Sequence, residues 1–312
     1  MIVSVSRRTD IPAFYADWFF RRLKEGFVLV RNPMNVHQVS RVRLDAEAVD
    51  GFVFWTKNPA PMLDKLSLLQ GRAYYFQFTL TAYGRDVETH LPSKGRVLVP
   101  TFRRLAEIVG PERVLWRYDP ILLNDVYTPE VHFRRFEALA KRLAPYTRRC
   151  TISFFAPYRV ALRNTENLGL WPIDAERKIL MAKRLAAIAQ SYGLEMVACA
   201  EETDLSPYGV KPASCVDGEL FAKLLGCPLH AEKDKNQRPL CGCVESIDIG
   251  AYHTCRNGCR YCYATSSEAA AKENARFHDP ASPLLIGELG EKDAIHEREM
   301  RSLCERQTRL SL

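Results

Sequence analysis

Short β-rich runs alternate with amphipathic segments through about residue 206 of this 312-residue chain. That alternation is the pattern of a parallel sheet with crossover helices. Strands are predicted at residues 2–6, 51–56, 73–80, 113–118, 150–155 and 194–199. Between them, Thr128 caps a helix with Pro129 at its first position, and Phe133, Phe136, Ala140 and Leu143 share one face. Pro172 opens another, with Met181, Leu185 and Ile188 on one face and Gly193 at its end. The class is α/β, a partial or complete (β/α) barrel. Side chains alternate along a strand, so one face carries Ser4, Ser6, Gln77, Thr79, Arg117, Asp119, Thr151, Ser153, Cys199 and then Glu201. The other carries Phe76, Phe78, Trp116, Ile152 and Phe154. A barrel packed only for stability buries branched residues inside, so the polar face reads as the wall of an occupied cavity. The plainer alternative is an open sheet with one wetted side.

After residue 206 the pattern breaks down. We divide the chain into a barrel core at 1–206, a cysteine-rich segment at 207–265 that completes the barrel, and a C-terminal helix and tail at 266–312. Residues 233–238 read as a polar surface loop, and a helix is expected over 264–277. No apolar run has signal-peptide or membrane-spanning length, which predicts a cytoplasmic chain with no membrane partner. The net charge of +7 is spread over scattered Arg pairs with no concentrated basic arm, which weakens a nucleic-acid reading.

All ten cysteines lie at or after Cys150. In a reducing compartment such clustered thiols point to metal or redox chemistry rather than structural disulfides. The sharpest motif is Cys255, Cys259 and Cys262 in CxxxCxxC spacing, with Tyr261 just before the last cysteine and Gly258 easing the turn. Three thiolates on a tight loop can hold three irons of a four-iron cluster and leave the fourth iron open. The alternative is a zinc knuckle that borrows His253 or an outside cysteine.

These residues resemble the signature of the radical S-adenosylmethionine (radical SAM) superfamily. The wider chain resembles an uncharacterised bacterial family whose C-terminal cysteines have been compared with that signature, through residues 4–12, 30–35, 54–59, 116–120, 248–255, 263–264 and 282–287. The resemblance implies a four-iron four-sulfur cluster on Cys255, Cys259 and Cys262, with S-adenosylmethionine chelated at the open iron and Tyr261 beside it. Reductive cleavage would give a 5′-deoxyadenosyl radical that abstracts a substrate hydrogen. It also implies a reducing electron donor such as flavodoxin or ferredoxin. In that superfamily the motif follows the first barrel strand, so its position here implies a circularly permuted barrel with residues 246–249 as first strand. The loop of Ser6, Arg7, Arg8 and Asp10 would then follow the second strand, where the superfamily binds the cofactor amine. The chain has no Gly-Gly pair, so the usual Gly-Gly-Glu contact has no counterpart. Without ligand duty, Asp10 would simply cap the next helix.

A second group, Cys199, Cys215, Cys241 and Cys243, is expected to bind an auxiliary iron–sulfur cluster or, alternatively, zinc. Cys227 with His230 is a weaker ligand pair, Cys150 reads as a core residue and Cys304 as incidental. Arg117 and Asp119 end a strand on the polar face, where α/β barrels place catalytic groups; their structural alternative is an ion pair. Lys57, Asn58, Glu201 and Glu202 rank lower. No G-x-S-x-G, Walker A or G-x-G-x-x-G motif is present. The expected function is thus a radical SAM enzyme whose substrate, a small molecule or a nucleic acid, the sequence does not identify, with a nucleic-acid lesion as the minor reading. The reading from a different class is a non-catalytic zinc or iron–sulfur protein for binding or electron transfer.

Overall fold

The computed structural model describes residues 1–304, so the last eight residues of the expected 266–312 tail segment lie outside the described residues. Its strands are β1 (Ile2–Val5), β2 (Phe27–Asn32), β3 (Asn35–Arg43), β4 (Gly51–Thr56), β5 (Ala73–Thr79), β6 (Val114–Ile121), β7 (Arg149–Phe154), β8 (Glu195–Cys199), β9 (Val210–Ala213), β10 (Ile247–Asp248) and β11 (Ala294–Glu297). The helices are α1 (Ile11–Phe14), α2 (Ala16–Glu25), α3 (Val99–Val109), α4 (Pro129–Leu143), α5 (Arg159–Thr165), α6 (Ala175–Ser191), α7 (Gly218–Leu225) and α8 (Glu268–Arg276). Eight strands form one sheet in the order β10-β1-β4-β5-β6-β7-β8-β9. Every neighbouring pair in it is parallel.

The sequence-predicted strands are all present, within one to three residues at each end. Two more lie in the cysteine-rich segment: β9, which was not expected, continues one edge, and β10, implied at 246–249 by the resemblance, returns the chain to the opposite edge beside β1. Among the described residues no backbone pairing joins β9 to β10, so hydrogen bonds do not close the barrel. The hairpin β2–β3 was not expected. It makes a separate three-stranded sheet with β11.

The apolar face meets the helices. Trp116 stacks on Phe136 of α4 at 4.8 Å, Phe78 meets Phe102 of α3 at 5.0 Å, and Phe54 meets Phe19 of α2 at 5.3 Å. Aromatic pairs of this kind add to the stabilisation from area burial. The polar face is buried too: Ser4, Gln77, Arg117 and Thr151 are all sealed from solvent. The polar face is therefore not wetted, although backbone hydrogen bonds leave the sheet open. Thr128 caps α4 through the Val131 amide, as its sequence predicts. α6 starts later than Pro172, because the Asp174 side chain accepts from the Arg177 amide and sets the cap there. Ser267 likewise delays α8 relative to the expected start at 264. Among the described residues no helix is long and apolar enough to cross a membrane.

The stacked aromatic layer sets a stability prediction. Phe136→Ala should cost about 3–5 kcal/mol in chemical denaturation, whereas Leu68→Ala, at a site 61% exposed, should stay within about 0.5 kcal/mol. Equal losses would show that this face is not the core.

Candidate functional site

The loop of Cys255, Cys259 and Cys262 leaves the C-terminal end of β10, the end at which α/β sheets bind ligands. Local chemistry fixes its shape. Gly258 has φ +66°, and a Cβ there would lie 2.7 Å from the His90 ring, so the turn requires glycine. At the loop's base the His253 amide donates to the Ala264 carbonyl at 2.9 Å, and Asn274 donates to the His253 carbonyl at 2.8 Å. The Ser266 amide donates to His253 Nδ1 at 2.9 Å. Accepting there puts the ring proton on Nε2 and leaves no lone pair for a metal. The zinc-knuckle reading with His253 as fourth ligand fails on this bond.

The three thiols are half-buried and line a cavity of about 650 Å³ with Arg163, Arg256, Arg260 and Lys272 at its margins. That is the size of a cofactor pocket. They act on one another through charge, and among the described residues no S–H···S bond joins any two of them. Burial pushes the Cys259 thiol up to about 12 despite nearby Lys57, and also raises Cys255. A bound metal would hold these two as thiolates. Three soft ligands on one loop beside a cavity fit an iron–sulfur cluster with one open iron. Another cavity, of about 610 Å³, opens at the N-terminal end of β4 and β5 beside Asp50 and Arg72. It holds none of these thiols and lies at the wrong end of the sheet for chemistry.

Asp10 caps α1 through the Ala13 amide, and its other oxygen accepts from the Lys57 amide at 2.8 Å and Asn257 Nδ2 at 2.9 Å. Its carboxylate is thus committed to the protein, tying the cysteine loop to the ends of β1 and β4. The residue that the motif search missed is Glu88. It is 1% exposed, accepts from Lys57 at 2.7 Å and Thr81 at 2.8 Å, and also from Lys94 and the Tyr261 hydroxyl. The backbone around it pairs with the cysteine loop, as Thr89 and His90 donate to the Gly258 and Asn257 carbonyls and Arg260 donates to Val87. Glu88 belongs to no recognisable motif, and its nearest sequence signal was the strand end preceding it.

Inside the sheet, Asp248 on β10 accepts from the Arg7 amide at 2.7 Å, the Gly250 amide at 3.0 Å and Ser4 at 3.0 Å, and also from Ser6. Arg8 lies 3.5 Å from the same carboxylate. Arg7 and Arg117 both stand over the Trp55 ring, at 5.2 and 5.4 Å. Arg117 Nε bonds Asp119 at 3.1 Å, and its Nη1 donates to Cys215 Sγ at 2.8 Å. Asp119 also accepts from Ser153. Arg117 and Asp119 therefore form the ion pair named as their structural alternative, largely buried on the polar face of the sheet. Lys57 joins the Glu88 cluster, Asn58 receives a turn bond from the Ala60 amide at 3.4 Å, Glu201 pairs with Lys178 at 2.7 Å, and Glu202 is exposed.

The second cysteine group also converges, with all four thiols buried. Cys215 donates to Cys199 at 3.0 Å, and Cys241 lies near enough to Cys199 and Cys243 to act on both electrostatically. These interactions raise Cys199 and lower Cys241. Among the described residues no group of three or more His, Cys, Asp or Glu stands ready-made as a metal-ligand set. Two expectations are corrected. Cys227 is not a ligand partner of His230, and Cys304 is not incidental, because the two form a disulfide across 77 residues with Cα atoms 6.1 Å apart. Antiparallel bridging of Leu229 with Cys304 brings them together, a pairing that spacing alone could not reveal.

The buried Glu88 gives a pH prediction. Burial would raise its pKa, but Lys57 and Lys94 more than offset this and hold it at about 2, below the ordinary 4.5. A carboxylate depressed in the folded state contributes stability that is fully present above its unfolded pKa and is lost as pH falls through the folded one. Glu88→Gln should therefore lose on the order of 3 kcal/mol at neutral pH, and its gap from the parent protein should narrow between about pH 5 and pH 2. A pH-independent gap in urea titrations would contradict this.

Residues 2–264 match a family described as a domain of unknown function, DUF1848. No curated protein matches the chain. The matched span takes in every strand of the eight-stranded sheet and all three cysteines of the loop. The chain belongs to the DUF1848 family.

Proposed function

We propose that this chain is a radical SAM enzyme. The observation that carries the reading is the placement of three thiols on one loop, at the C-terminal end of a parallel sheet and lining a cofactor-sized cavity. In this reading Cys255, Cys259 and Cys262 hold three irons of a four-iron four-sulfur cluster. Bound S-adenosylmethionine at the open iron supplies, on one-electron reduction, the radical that takes a hydrogen from substrate.

The chain's own residues have distinct tasks. Glu88 fixes Tyr261 and Lys57 against the cluster loop through buried hydrogen bonds, and Asp10 fixes Asn257. Both restrain the loop where a mobile ligand set would expose the cluster to water. Arg7 Nη1 lies 3.7 Å from Asp234, and among the described residues its buried Nη2 has no hydrogen-bond partner, leaving a donor for a carboxylate of cofactor or substrate. Arg117, engaged with Asp119, positions Trp55 and the lumen wall. The strand order supports a permuted barrel, since β10 takes the edge place beside β1 and is followed directly by the cysteine loop. The basic margin of the cavity, with Arg163, Arg256, Arg260 and Lys272, favours an acidic electron donor of the flavodoxin or ferredoxin kind. A purely structural role for the loop gives no reason for the cavity or for Arg7's open donor.

Protein purified without oxygen should be brown, and with dithionite and S-adenosylmethionine it should release 5′-deoxyadenosine and methionine. Cys259→Ser should abolish that release. A colourless protein with no iron, or turnover unaffected by the substitution, would overturn the reading.

A further inference from the structure

The unpaired edges of the large sheet face one another across the second cysteine group. Cys199 ends β8 and Cys215 follows β9, so both belong to one edge. Cys241 and Cys243 lie on the segment leading into β10, at the other edge. Where backbone hydrogen bonds would close a barrel, the chain gathers four buried cysteines, two of them in direct sulfur–sulfur contact. We propose that these four cysteines bind a single zinc ion that staples β9 to β10 and closes the barrel. This departs from the expected auxiliary iron–sulfur cluster and does not depend on the radical SAM reading.

Three observations carry it. The first is distance. A tetrahedral zinc with Zn–S bonds near 2.3 Å holds its sulfurs about 3.8 Å apart, whereas a four-iron cluster places a whole cube between its ligands. Cys199 and Cys215 are 3.0 Å apart. Opening that contact by under an ångström suits two ligands of one ion; a cluster would have to force the edges apart. Among the described residues no such contact joins any two of Cys255, Cys259 and Cys262.

The second is the arrangement of donors. The amides of Cys215 and Val216 both donate to Cys243 Sγ at 3.3 Å, and Arg117 donates to Cys215 Sγ at 2.8 Å. Donors aimed at sulfur are what a metal-bound thiolate requires from its surroundings, and a neutral thiol is only a weak acceptor. Gln77 and Tyr75 fix the loop from below by donating to the Cys215 carbonyl at 2.8 Å each.

The third is charge. Zinc with four thiolates carries two net negative charges; the buried Arg117 donates to Cys215 Sγ at 2.8 Å, and the part-buried Arg7 lies within electrostatic reach of Cys243 and Cys215. Binding forms four Zn–S bonds, breaks four S–H bonds and releases the protons to solvent, with no change of oxidation state.

The test is metal analysis of the full chain, purified without oxygen, beside a variant with Cys255, Cys259 and Cys262 all replaced by alanine. The parent and the triple variant should each hold one zinc that survives dialysis against a chelator, while the triple variant loses its iron. Cobalt substitution of the parent should give the visible bands of a tetrahedral thiolate site. Cys241→Ser and Cys243→Ser should lose the zinc and lower the melting temperature. Iron, sulfide and broad visible absorption retained in the triple variant would overturn the proposal in favour of a second cluster. Folded protein without metal, or lighter by two hydrogens per oxidised pair, would overturn it in favour of free thiols or disulfides. Zinc in a parent protein that never takes up iron would leave this proposal standing and remove the radical SAM reading.

Discussion

The carboxylate of Asp248 joins the two ends of the sheet's chain path. β10 is only two residues long, too short for its ladder hydrogen bonds alone to fix its place. Asp248 supplies the rest by gathering Ser4, Ser6 and the amides of Arg7 and Gly250. Charge-assisted hydrogen bonds are roughly twice as strong as neutral ones, and here they act in a buried setting where an unpaired partner is costly. Everything downstream depends on that placement, because the cysteine loop starts seven residues later in the chain and inherits its position from β10.

Two further buried carboxylates extend the same logic. Asp10 fastens the loop to β4 through Asn257 and the Lys57 amide, and Glu88 fastens it to the segment after β5 through Tyr261. The loop is therefore held from three directions by acids that are themselves fully occupied. Such acids are poor candidates for direct chemistry and good ones for keeping soft ligands at fixed spacing. Arg7 is the contrast, since among the described residues its buried Nη2 has no hydrogen-bond partner.

Much of the sheet was legible in the sequence. The long strands read correctly because each combines a β-rich run with strict alternation: Gln77 and Arg117 face inward while Phe76, Phe78 and Trp116 pack on helices. α4 was legible because Thr128 and Pro129 state its start. What escaped was short, exposed or non-local. β9 has four residues and ends in Pro212 and Ala213, and β3 opens with four exposed residues, so neither shows a hydrophobic period. Residues 246–249 were identified as a strand only through the superfamily resemblance. Glu88 looks like any surface acid until folding buries it against two lysines. Cys227 and Cys304 are paired by tertiary packing, which no local pattern encodes.

The central claim is that Cys255, Cys259 and Cys262 hold a cluster with one iron open to S-adenosylmethionine. Electron paramagnetic resonance of the dithionite-reduced protein, before and after adding S-adenosylmethionine, tests it most directly. The account predicts a reduced four-iron signal that changes shape when the cofactor is added and disappears in the triple alanine variant. A signal indifferent to the cofactor, or one that persists without those three cysteines, would contradict it.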